Sequence, residues 1–147
     1  EAELSVDVRP ATVADQDHID AAIRKLAGLD EGGVWTEVDG GVNRPPMERA
    51  ASISLLDRAR ACAAELGLPI PEGAAVGGIS DANLTAALGV PTLDGLGAVG
   101  GGAHAEHEWV NVPATLERVE LVAALITDLL ERPEVCDGRR IHHGSGR

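Results

Sequence analysis

At 147 residues the chain holds one domain or parts of two, and its 44% apolar content marks it as globular rather than disordered. A net charge of −12 argues against nucleic acid as a partner, because phosphates require neutralisation by Lys and Arg. No apolar run approaches the length of about 18 residues that a membrane span needs, and no charged-then-apolar signal segment is expected at the start.

In chain order, "AELSVDVRP" alternates Leu4, Val6 and Val8 with Ser5, Asp7 and Arg9, the period of a half-buried strand that Pro10 ends. An opening on Glu1 directly inside such a pattern predicts processing or a fragment. A helix follows, with Thr12 as cap, Asp15 and Asp17 in the first turn where the helix dipole favours negative charge, and Ile19, Ala22, Ile23 and Leu26 on one face. Gly28 stops it, and Val34, Thr36 and Val38 return to strand alternation. This is a βαβ-like piece of an α/β layer with too little core to stand alone.

Pro45 and Pro46 break regular structure, and a second helix is predicted from about Arg49 to Leu66 with Ile53, Leu56, Ala59, Ala63 and Leu66 inward. Gly67 and Pro69 end it. "DANLTAALG" predicts a short helix closing at Gly89, "VPTLDGLG" a buried strand, and "AVGGGAHAEHEWV" a glycine-rich loop. The last helix is predicted over roughly Pro113 to Glu131, with Leu116, Val119, Val122, Ala123, Ile126 and Leu130 on its apolar side. The remaining residues read as a loose tail holding His142 and His143, and no internal repeat is present. Cys62 and Cys136 lie far apart without CxxC spacing; Cys62 reads as a reduced, partly buried thiol, which suits a cytoplasmic setting.

Among the five histidines, His18 stands two residues from Asp20. On a helix that spacing puts the two on nearly opposite faces, so both read as solvated surface. His104 follows three glycines and an alanine in a loop, where the backbone can approach an ion closely. It reads either as a metal ligand or as an ordinary loop histidine, with Glu106, His107 and Glu108 placed to orient it. A complete zinc site needs three or four ligands, and the sequence offers no HExxH and no Cys cluster.

The string "GGISDAN", then "GVPTLDGLGAVGGGAHAEHEWV", resembles the C-terminal signature of the di-zinc aminoacylase and carboxypeptidase family, which includes glutamate carboxypeptidase, acetylornithine deacetylase and succinyl-diaminopimelate desuccinylase. The elements match in order: Gly-Gly-x-Ser/Thr-Asp-Ala, Gly-x-Pro, Gly-Leu-Gly, Gly-x-x-His and Glu-x-Val. The glutamate carboxypeptidase branch is the most similar. "SVDVRP" resembles the Asp-x-Arg strand of the family's inserted dimerisation domain, and "NRPPMERA" its return to the catalytic domain.

The resemblance implies an α/β fold in three parts. Residues 1–43 would be the second half of a ferredoxin-like dimerisation domain, 44–134 the C-terminal part of the catalytic domain, and 135–147 a tail. It implies zinc as cofactor, two ions in the intact enzyme with cobalt or manganese as alternatives, and His104 as the last zinc ligand. Arg44 resembles the arginine that holds the substrate carboxylate, or is a surface arginine beside a turn; Gly78, Ser80 and Asp81 would line the same pocket, with Asp81 more simply capping the helix after it. The other metal ligands and the general-base glutamate of such enzymes lie upstream, and nothing in this sequence corresponds to them.

Two functional expectations result. The first is the C-terminal portion of a metal-dependent hydrolase acting on an N-acyl amino acid or short peptide, inactive as this chain alone, homodimeric when intact, and lacking nucleic-acid or membrane partners. The second is a non-catalytic module that dimerises or complements a separate N-terminal half.

Overall fold

The computed structural model describes residues 1–133, and Cys136, His142, His143 and the expected tail lie outside them. Among the described residues the fold is α/β, with four helices and two small antiparallel sheets divided between two units. The first unit is assembled from Glu1–Ala51 and Ala75–Thr92, the second from Ser52–Ala74 and the chain from Leu93 onward.

In the first unit, α1 (Val13–Arg24) begins where the cap residue requires. The Thr12 hydroxyl oxygen accepts from the Asp15 N–H at 3.1 Å and donates to the Asp15 carboxylate at 2.7 Å, satisfying an amide that has no partner inside the helix. Ile19 and Ile23 are half-buried, whereas Ala22 and Leu26 of the expected face are exposed. Gly28, at φ 114, turns the chain into β1 (Gly28–Leu29), which pairs antiparallel with β2 (Trp35–Thr36) in the register Leu29 opposite Trp35. Asp30 closes the turn between them, its side chain accepting from the Val34 N–H at 2.8 Å.

The expected βαβ piece is therefore corrected to a helix followed by a hairpin. The second strand exists, but its partner is the segment read as the helix stop. Residues 4–8 form no strand, and Leu4 and Val6 are 86% and 64% exposed. Alternation fixes which side chains share a face, but a strand exists only where a neighbour completes its ladder, and none of the described residues does so here. A one-turn 3-10 helix (Arg49–Ala51) and α3 (Ala82–Ala87) complete the unit, with Gly89 at φ 78 just past the end of α3.

In the second unit, α2 (Ile53–Leu66) ends at Gly67 in the left-handed region, φ 67, where the Leu68 N–H reaches the Ala63 carbonyl at 2.9 Å. Its inner face is Leu56, Ala59, Cys62 and Ala63, while the expected Leu66 is exposed. It packs on α4 (Val112–Glu131), and Cys62, Ala63 and Leu121 form the core with Leu68 and Ala124 against them. Ala59 and Ala63, both at 0% exposure, let the two backbones approach closely.

The inward stripe of α4 is Leu121, Leu125 and Asp128, not the expected one: Leu116, Val119, Ile126 and Leu130 are exposed. The helix carries apolar residues on two sides, and one buried charge selects between them. Arg58 of α2, with a side chain 10% exposed, donates from Nε to Asp128 Oδ2 at 2.5 Å and from Nη2 to the Asp128 carbonyl at 2.6 Å. A buried guanidinium without a carboxylate costs several kcal/mol, about 3–5, so Asp128 must face α2 and its neighbours one turn back come with it.

The expected buried strand at "VPTLDGLG" has no ladder. Regular pairing starts later, where β3 (Gly100–Gly101) joins β4 (Trp109–Val110) across the glycine-rich segment. A Cβ on Gly100 would lie 2.0 Å from the Trp109 carbonyl oxygen, so only glycine permits this pairing. Asn111 then caps α4, its side-chain oxygen accepting from the Ala114 N–H at 3.1 Å, while its own N–H donates to the Val99 carbonyl at 2.7 Å. The hairpin thus runs into the helix without slack.

Candidate functional site

The residues singled out in the sequence fall into two groups. Arg44, Gly78, Ser80 and Asp81 belong to the first unit and His104 to the second.

The first group centres on Arg44, whose side chain is 33% exposed. Its Nη1 donates to the Ser80 carbonyl at 3.3 Å and to Asp81 Oδ1 at 3.2 Å. Nε and Nη2 have no hydrogen-bond partner among the described residues, leaving the outer edge of a planar donor open, the geometry that pairs with a carboxylate through two bonds. Gly78 stands beside this segment with open space where a side chain would be. Arg9 holds the segment's other end: its Nη1 donates to the Gly77 carbonyl at 3.0 Å and its Nε to Asp7 at 2.9 Å, so the Asp-x-Arg pair of the sequence is an ion pair here.

Asp81 does not perform the capping role expected of it. It occupies the N-cap position of α3 without a side-chain capping bond, and its carboxylate, 93% exposed, turns to Arg44 instead. The Ser80 hydroxyl accepts from the Ala82 N–H at 3.2 Å, and Asn83 Oδ1 accepts from the Ser80 N–H at 3.1 Å. Those two neighbours meet the amides at the start of α3, which releases Asp81.

Two residues that sequence reading passed over complete this group. Gln16 of α1 donates to the Arg44 carbonyl at 2.7 Å, and Asn83 donates to the Pro45 carbonyl at 2.9 Å. The only sequence signal for Asn83 is its place three residues after Ser80, a spacing at which an amide can close a local turn. Nothing local marks Gln16.

His104 sits in the loop between β3 and β4 with φ 67, the one non-glycine residue among those described with a left-handed backbone. Histidine is among the residues that tolerate this region best. Turns on either side, Ala105 N–H to Gly102 O at 2.9 Å and Glu108 N–H to Ala105 O at 3.0 Å, hold the loop, and the imidazole is exposed at its tip. Glu106, His107 and Glu108 are exposed too, and none hydrogen-bonds to His104. His18 is on the exposed surface of α1, as expected, whereas Asp20 is half-buried and pairs with Arg24 at 2.7 Å.

The model of the peptidase family M20/M25/M40 matches residues 6–128. The chain belongs to that family. No curated protein and no solved structure gives a significant match. Membership of the M20 family identifies the kind of chemistry as that of a metallopeptidase-type hydrolase. The residues described do not by themselves fit the metal such chemistry uses: no three of His, Cys, Asp and Glu converge on one point among them, and a metal centre needs at least three. Nor is any helix among the described residues long and apolar enough to cross a membrane.

Proposed function

We propose that this chain is the carboxylate-binding, C-terminal portion of a zinc-dependent amidohydrolase or exopeptidase acting on an N-acyl amino acid or short peptide, in the branch of glutamate carboxypeptidase. The observation that carries the reading is Arg44: held by one nitrogen to the Ser80 carbonyl and the Asp81 carboxylate, it offers Nε and Nη2 to a ligand. Gly78, Ser80 and Asp81 line the same place, and the missing side chain at Gly78 leaves room for substrate backbone. His104 supplies one metal ligand, and the remaining ligands and the general base come from an N-terminal part of the protein outside these residues. Cobalt or manganese are alternatives to zinc. The intact enzyme is a homodimer in the cytoplasm, a setting with which the free, buried Cys62 agrees.

The test is a titration of the 147-residue chain with N-acetyl-L-glutamate, followed through the Ser80 backbone amide signal by NMR, beside a zinc-supplemented hydrolysis assay. Saturable movement of that signal, lost in Arg44→Ala, together with absence of turnover, is the expected result. Turnover by this chain alone, or identical titration in Arg44→Ala, overturns the reading.

A second reading has its own observation. Leu116, Val119, Ile126 and Leu130 form an apolar stripe on α4 that is more than half exposed at every position. We infer that this stripe is where a separate N-terminal half would pack if the chain acts as a complementing module rather than as part of one continuous enzyme.

A further inference from the structure

We propose that Gln16 and Asn83 are the positioning residues of Arg44. The proposal deepens the carboxylate-binding reading and rests on it. An arginine side chain is long and rotamer-rich, so a guanidinium that must meet a ligand in one plane needs its backbone fixed first. Two consecutive carbonyls, those of Arg44 and Pro45, are each caught by a side-chain amide: Gln16 from α1 at 2.7 Å and Asn83 from α3 at 2.9 Å. Both amides are half-buried, so water competes poorly for these bonds.

The Asn83 side chain does more than hold one carbonyl. Its oxygen accepts the Ser80 N–H at 3.1 Å, and the Ser80 carbonyl accepts Arg44 Nη1 at 3.3 Å. With the covalent step from Arg44 to Pro45, these bonds close a ring: guanidinium to Ser80, Ser80 to Asn83, Asn83 to Pro45, Pro45 back to Arg44. The ring orients the guanidinium relative to its own backbone. Pro45 and Pro46 stiffen the chain within it because their φ angles are fixed. A further bond, from the Val13 N–H to the Glu48 carboxylate at 2.9 Å, ties the end of the same segment to the start of α1. The inner nitrogen of Arg44 is thus held by the protein, and the outer edge points to one place.

The experiment uses the isotopically labelled full chain, N-acetyl-L-glutamate as probe, and the variants Gln16→Met and Asn83→Leu, which keep side-chain size and add no charge. Helix content by circular dichroism and the thermal midpoint report folding. The Arg44 Nε–Hε signal reports orientation before ligand is added and affinity during titration. Each variant is expected to move the free-state signal toward that of an exposed arginine and to raise the half-saturating probe concentration about tenfold, the order expected for one lost hydrogen bond that orients a charged group. Should Asn83→Leu fail to fold, Gln16→Met decides alone, since methionine is a good helix former and suits its place in α1. A lowered thermal midpoint with the Arg44 signal and titration unchanged shows the amides to be merely structural and overturns the proposal. A free-state signal that moves in the variants, with no response to probe even in the unsubstituted chain, upholds the positioning and overturns the carboxylate reading.

Discussion

Removing Asp128 is expected to be the most damaging single change in the second unit. Its carboxylate, 9% exposed, meets Arg58 at 2.5 Å and is also paired with Arg132. The Asp128→Ala variant takes the Asp128 carboxylate away from the Arg58 guanidinium, 10% exposed, between two helices. The carbonyls of Asp128 and Arg132, which accept from Arg58 at 2.6 and 3.0 Å, satisfy hydrogen bonds but carry no full charge to replace the lost one. Breaking a buried pair in this way costs about 3–5 kcal/mol, a large share of the about 5–15 kcal/mol by which a domain is stable. Because Arg132 is 64% exposed, its half of the network contributes little of that loss. Urea unfolding followed by circular dichroism at the helix band measures the effect directly. The double variant Arg58→Met with Asp128→Leu is expected to recover most of it, because well-packed apolar side chains replace a buried ion pair at small cost. A loss below about 1 kcal/mol in Asp128→Ala, or a double variant as unstable as the single one, refutes the claim that this pair selects the inward face of α4.

Further expectations concern single positions. Leu121→Ala should cost about 2–5 kcal/mol, whereas Val119→Ser on the opposite stripe should stay within about 0.5 kcal/mol in the same unfolding assay; equal effects would mean that α4 is rotated. Gly100→Ala places a methyl 2.0 Å from a backbone oxygen, so the hairpin must open, which amide exchange at Val110 and Trp109 would report. Burial, with Asp128 and Glu65 adding repulsion, pushes the Cys62 thiol above its ordinary range. The raised folded-state pKa favours the protonated fold, so this stabilisation is complete below the unfolded thiol's pKa and fades as pH rises through the folded value. Alkylation by iodoacetamide at pH 8 should therefore be much slower than for an unfolded control, and equal rates would contradict the packing.

What the sequence made legible was local. The Thr12 cap, the Gly67 stop and the inward run from Leu56 to Ala63 depend on residues within one or two turns, and each is where its pattern places it. The failures share a different cause. The strand at Leu4–Val8 needed a ladder partner that alternation cannot supply. The face of α4 depended on a residue 70 positions away, Arg58, because two apolar stripes were equally available. Asp81 was displaced as a cap by neighbours that only the folded turn brings into place. The site shows the same division. His104 in a glycine loop and Arg44 before a Pro-Pro pair stand out as candidates by motif, but Gln16 does not, since its bond is to a carbonyl 28 residues later.

The order in which the two units can be finished during synthesis follows from how the chain is threaded between them. The first unit takes Glu1–Ala51 and then waits until Ala75–Thr92 has been made. Arg44 cannot reach Ser80 until 36 more residues have emerged, and α2 lies entirely within that interval. While the ribosome is still extending the chain, α2 is a nascent helix whose face of Leu56, Ala59, Cys62 and Ala63 has no cover until α4, 46 residues further on, has been made. The ends of the first unit are therefore joined before the second can close, and a translational pause between α3 and α4 would hold the nascent protein with its Arg44 loop assembled and its helical core open.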